Sequence, residues 1–227
     1  MSSDEFESKT SLIDRRWRAT DSTRPSFALE SELLDQGYCF IAGVDEAGRG
    51  PIAGPVTAAA VRLNPAAYPN GLNDSKRLSA EVREKLFEEL IENADCSIAH
   101  VSVVEIDRTD ILRAALEAMR QSLEKLSPRP DYALIDGNIV PKNLRCSARA
   151  IVKGDGRSVS IAAASILAKV SRDRIMAGYH LRYPEYGWKS NAGYGTKMHL
   201  EALRKFGPTP IHRKSFAPVR AAFAERN

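Results

Sequence analysis

The sequence predicts an α/β domain in which helices cover both faces of a mixed sheet, and three observations carry that expectation. Three strand-length apolar runs are followed by a helical pattern, two more strand-length runs and another helix, an order that suits a mixed sheet. The last of these helices, Ser158 to Arg174, is apolar almost all round and must be buried, its alanines permitting close approach to a sheet. With 227 residues, 43% of them hydrophobic, the chain is long enough to bury one sizeable core.

Taken in order, Met1 to Pro25 is polar, with five acids against five bases and no sustained periodicity, and is read as a flexible extension. Phe27 to Leu34 forms a short helix leading into a first strand, Tyr38 to Val44. Val56 to Leu63 is the second strand. A loop rich in Pro, Asn and Gly then ends at Asn73, Asp74, Ser75 and Lys76. Ser79 caps a helix running to about Asn93, with Val82, Leu86 and Leu90 on one face. Ser97 to Val104 alternates as a third strand. One long helix is expected over Glu105 to Leu126, where Ile111, Ala115, Met119 and Leu123 keep the 3.6-residue period, and Pro128 and Pro130 end it. Tyr132 to Ile135 and Ala148 to Val152 are the fourth and fifth strands. Beyond the buried helix, Tyr179 to Tyr194 reads as an aromatic, glycine-containing loop region. A helix at about Thr196 to Phe206 and a basic segment, Ile211 to Phe216, follow.

Chemistry-bearing residues cluster at strand ends. The stretch Ile41 to Val56 (IAGVDEAGRGPIAGPV) puts Asp45 and Glu46 at the end of an apolar run, directly before Gly48, Arg49 and Gly50. Adjacent strand residues face opposite ways, so the two acids share a ligand only if the strand breaks there or Glu46 reaches round. Asp136 (ALIDGN) and Asp155 (VKGDGR) end the fourth and fifth strands. Each has a plainer explanation: a solvated turn at Asp45-Glu46, a hairpin turn at Asp136-Gly137 and a loop at Asp155-Gly156. Taken singly those explanations prevail. Taken together, converged carboxylates repel one another unless cations sit among them, and an all-oxygen set suits Mg²⁺ or Mn²⁺ rather than zinc. Two such ions suit phosphodiester hydrolysis.

Other classes lack their signatures. Gly48, Gly50 and Ala53 fit a dinucleotide-binding spacing, but Pro51, Pro55 and the strand after them deny the helix that motif needs. There is no P-loop, H-E-x-x-H or G-x-S-x-G, and the four histidines are scattered. Net charge is +4, yet Lys169 to Asn227 carries twelve Lys and Arg against four Asp and Glu, which suits a region that grips a polyanion. Three widely spaced cysteines, no secretory signal and no membrane-length apolar run point to a reducing cytoplasm.

The blocks IAGVDEAGRGPIAGPV, LNDSKRLS, LIDGN, KGDGRSVSIAAASILAKVSRDR, GYGTKMHLEAL and HRKSFAP resemble bacterial ribonuclease HII in order from about Phe27 to Val219. The resemblance implies a ribonuclease H-like mixed five-stranded sheet flanked by helices, with a small helical C-terminal part beside the substrate groove. Residues 26–222 would form the catalytic domain. The implied activity is endonucleolytic cleavage of the RNA strand of RNA–DNA hybrids and nicking 5′ of single ribonucleotides in duplex DNA, leaving 5′-phosphate and 3′-hydroxyl ends. Asp45, Glu46, Asp136 and Asp155 would be the catalytic, metal-binding acids. Gly48, Arg49 and Gly50 would approach the 2′-hydroxyl and Tyr194 would stack near the junction. Lys76, Lys153 and Ser158 are candidate phosphate contacts, as are Arg213 and Lys214 unless they are surface charge. A monomer is expected. Ribonuclease HIII resembles the same core, but 25 polar residues are too few for its additional N-terminal domain; the full acidic set weighs against a silent hybrid-binding module.

Overall fold

The computed structural model describes residues 24–224; the predicted extension, residues 1–25, lies almost wholly outside them. Five strands form one sheet: β1 Ile41–Ala47, β2 Val56–Arg62, β3 Asp95–Val101, β4 Tyr132–Asp136 and β5 Ser147–Ile151. Their order is β3-β2-β1-β4-β5. The pairs β1/β2 and β2/β3 are antiparallel, whereas β1/β4 and β4/β5 are parallel. The carboxyl ends of β1, β4 and β5 therefore open on one edge, where ligands of such sheets commonly bind.

Eight helices surround the sheet in the described residues: α1 Ala28–Asp35, α2 Ala80–Asn93, α3 Val103–Arg108, α4 Ile111–Lys125, α5 Val159–Arg182, α6 Trp188–Asn191, α7 Lys197–Phe206 and α8 Ala217–Ala224. Alternation along the strands divides the core. Val44, Ala58 and Ala60 pack with Ala115, Ala118 and Met119 of α4. On the other face Ala59 and Val61 pack with Leu86 and Leu90 of α2 and Ala163, Ile166 and Leu167 of α5. The expected close approach of α5 occurs at Gly43, where an added Cβ would lie 2.1 Å from the Ser160 carbonyl carbon.

Four expectations are corrected. The predicted helix over Glu105 to Leu126 is two helices, because Asp110 turns out of the helical path and caps α4, its Oδ1 accepting from the Arg113 N–H at 2.8 Å. The buried helix continues to Arg182, past Tyr179, since nothing in the sequence stops it before Pro184. The region 184–191 is also ordered, as a 3₁₀ turn and α6 around the fully buried Trp188. An unpredicted last helix, α8, follows the basic segment.

Candidate active site

Strand β1 does not break before the acids but runs through them to Ala47. Asp45 and Asp136 share the α5 face by strand alternation, since Ile41 and Leu134 on the same side of β1 and β4 pack against Ile161 of α5. Glu46 starts on the opposite face, where its side chain pairs with Arg49, and the Asp136 charge still acts on it. Asp136 Oδ1 accepts from the Gly154 N–H at 2.7 Å, which ties the turn carrying Asp155 to the end of β4. Because β4 and β5 are parallel, Asp136-Gly137 is not a hairpin turn.

Burial and neighbouring charge act on these groups together. Burial raises Asp45 well above the usual carboxylate range, and Glu46 and Asp136 push it further. Burial also raises Glu46, opposed by Arg49, whose Nη1 lies 3.4 Å from Glu46 Oε1. Asp155 is raised by burial, then by Asp136 and by Asp74, an acid not singled out from sequence. Lys76 is exposed beside them; burial works against its charge, but Asp74, Asp155, Asp45 and Asp136 together hold it above its usual range. The donors are all carboxylate oxygens, and each raised pKa marks negative charge that a bound cation would relieve, so the set fits a hard divalent ion. Among the described residues no three His, Cys, Asp or Glu side chains stand as a finished metal cage. Carboxylates of like charge repel one another unless a cation lies between them.

The glycine motif lies alongside. Gly48 has φ +100°, and a Cβ there would fall 2.1 Å from Arg172 Nε; a Cβ on Gly50 would fall 3.3 Å from Tyr194 Cε1. Gly50 thus adjoins the half-exposed Tyr194 ring, while Gly48 in the same loop backs onto Arg172. Four residues sit differently from expectation. Ser158 is fully buried, capping α5 through the Ile161 N–H and donating to Glu30 Oε1 at 2.5 Å, so its hydroxyl does not face a phosphate. Arg213 is neither surface charge nor a phosphate contact but is fully buried against the loop after β1. His199 and His212 are not scattered: their Nε2 atoms are 3.0 Å apart. Lys153, in the left-handed conformation at φ +54°, and Lys214 are exposed. A cavity of about 530 Å³ lined by Phe27, Glu30, Ile41 and Arg62 contains none of the four acids.

Residues 42–219 match the family model described as Ribonuclease HII. A ribonuclease HII of Cereibacter sphaeroides is 58% identical over 197 residues, covering 87% of this chain and 93% of that protein. One from Ruegeria pomeroyi is 57% identical over 197 residues, covering 87% and 84%. Among solved structures, the ribonuclease H2 of Pyrococcus horikoshii OT3 superposes with a TM-score of 0.69 at 29% identity, covering 82% of this chain and 98% of that one. A Bst ribonuclease HIII in complex with Mn²⁺ shares the fold, with a TM-score of 0.70 at 19% identity over 82% of this chain and 70% of that one. Fold and acidic edge together define a ribonuclease H of type 2. Within that class, the chain belongs to the ribonuclease HII family.

Proposed function

We propose that this chain is a divalent-metal-dependent endonuclease that cuts the RNA strand of RNA–DNA hybrids and nicks 5′ of single ribonucleotides in duplex DNA. The observation that carries the reading is the junction of two surfaces. The ends of β1 and β4 and the turn after β5, which carry the carboxylates, share one sheet edge with the loop of Gly48 to Gly50, and Gly50 adjoins Tyr194. Residues 26–222 make up the catalytic domain.

Asp45, Glu46, Asp136 and Asp155 would hold the metal. Mg²⁺ or Mn²⁺ bound there supplies an activated water and charge stabilisation at the departing 3′-oxygen, the two-ion arrangement being the one that suits in-line displacement. The Gly154 N–H fixes the Asp136 carboxylate, and Arg49 restrains Glu46 until substrate competes for it. Lys76, exposed and under the influence of the acids' charge, would meet a phosphate oxygen, and Lys153 and Lys214 add exposed positive charge for the backbone. At Gly48 to Gly50 the absence of side chains lets the main chain approach the 2′-hydroxyl, the group that separates RNA from DNA. Tyr194 offers its ring to the adjoining sugar or base. The products would carry 5′-phosphate and 3′-hydroxyl ends.

Asp136→Asn tests the acidic assignment. It should lower cleavage more than about 100-fold, because losing even an outer-shell partner of a metal ligand costs 10–100-fold. Hybrid affinity measured in chelator should stay unchanged. Near-normal turnover by this variant would remove Asp136 from the site.

A further inference from the structure

The loop after β1 is held from below by two buried arginines whose protons go to backbone carbonyls. Arg213 Nη2 donates to Gly48 O at 2.6 Å and Pro55 O at 3.2 Å, Nη1 to Pro51 O at 2.7 Å and Arg49 O at 3.1 Å, and Nε to Gly54 O at 2.9 Å. All five guanidinium protons are thereby used on one loop. Arg172 adds bonds from Nε to Pro55 O, from Nη2 to Ala53 O and from Nη1 to Ala192 O, at 2.9, 3.0 and 2.8 Å. Placing two cations in the interior is costly, and burial presses both guanidinium pKa values downward. Carbonyl dipoles on all five Arg213 protons and on three of those of Arg172 offset that cost.

The arrangement has a directional consequence. In a trans peptide the C=O and the following N–H point opposite ways. With the carbonyls of Gly48 and Arg49 drawn inward onto Arg213, the N–H groups of Arg49 and Gly50 are turned outward, towards the surface shared with Tyr194. The same segment also sets Tyr194. Its carbonyl accepts from His199 Nδ1–H at 2.8 Å, leaving His199 Nε2 to accept from Trp188 Nε1–H at 3.1 Å and His212 Nε2–H at 3.0 Å. His212 Nδ1 in turn accepts from the Thr209 N–H. Adjacent residues His212 and Arg213 therefore fix both sides of the proposed ribose-reading surface.

We propose that Arg213, backed by Arg172, is the positioning residue for ribonucleotide recognition, orienting the two peptide planes of Gly48 to Gly50 so that their N–H groups face the ribose. The inference rests on the ribonucleotide-specific reading above. Its test uses the full chain and Arg213→Lys, which keeps the charge but offers three donors from one atom in place of the five-proton fork. Affinities for a duplex containing one ribonucleotide and for the all-DNA duplex are measured in chelator, and their ratio cancels any loss of folded protein. The unaltered chain should prefer the ribonucleotide duplex by about tenfold, the worth of one hydrogen bond. Arg213→Lys should lose that preference with little change in all-DNA affinity, and its kcat/KM with metal should fall about 100-fold, as for a misplaced contact. A retained preference in the variant overturns the inference alone. No preference in the unaltered chain overturns the reading beneath it and the inference together. Should Arg213→Lys fail to fold, Arg172→Lys, acting on the same loop through Pro55 and Ala53, is judged by the same ratio.

Discussion

At Gly50 the available space is set by Tyr194, and at Gly48 by Arg172, so the two glycines answer to different neighbours. Gly50 has an ordinary backbone, and a methyl group there would meet only the edge of a half-exposed ring. Gly50→Ala should therefore leave the melting temperature nearly unchanged while lowering cleavage at a single ribonucleotide by about tenfold, the loss of one contact. Gly48→Ala meets both a positive φ and a buried guanidinium. It should cost about 1–3 kcal/mol of stability as well as activity. Urea unfolding of the two variants beside their cleavage rates checks the contrast, and equal destabilisation would contradict it. The glycines were visible in the sequence as a motif. What each one approaches was not, because Arg172 and Tyr194 lie more than 120 residues away along the chain.

Among the elements, helix caps were the most legible feature. Ser79, read as a cap from the sequence, accepts the N–H of the third helical residue, and Ser158 and Thr196 do the same for their own helices. The same local logic explains the miss at Asp110. The apolar period of the region 105–126 is continuous, but a capping aspartate divides it, and periodicity alone does not register a cap inside a stripe. Ser158 shows the opposite limit: the phosphate role carried by resemblance overlooked Glu30 of α1, whose carboxylate accepts a hydrogen bond from the Ser158 hydroxyl. Ser158→Ala should cost about 1–3 kcal/mol, since it removes a cap and strips a donor from a buried carboxylate. Duplex affinity should not change. A variant with full stability and weakened DNA binding would restore the phosphate role.

For the molecule as a whole, the sheet order was beyond the sequence, since nothing local states that β1 sits beside β4. Once that pairing exists, acids separated by more than 90 residues meet at one edge. The C-terminal helices are joined to the Tyr194 segment through two buried histidines, His199 and His212. Burial, with the neighbouring His199, pushes His212 down to about 3. The unfolded chain takes up a proton near pH 6.5 that the folded chain refuses. This contribution is complete above about pH 6.5 and is lost as pH falls towards 3, at about 1.4 kcal/mol per pH unit. The melting-temperature gap between the unaltered chain and His212→Asn should accordingly narrow below pH 6.5. A gap constant down to pH 4 would mean that His212 is charged in the fold. The central claim, that the acidic edge and the glycine surface form one ribonucleotide-directed nuclease site, is tested most directly by a DNA duplex containing a single ribonucleotide. It is incubated with Mg²⁺, with Mn²⁺ and with chelator, and the nick and its ends are mapped. The account predicts a metal-dependent nick on the 5′ side of the ribonucleotide, leaving 3′-hydroxyl and 5′-phosphate ends. Cleavage that persists in chelator, or none with either metal, would contradict it.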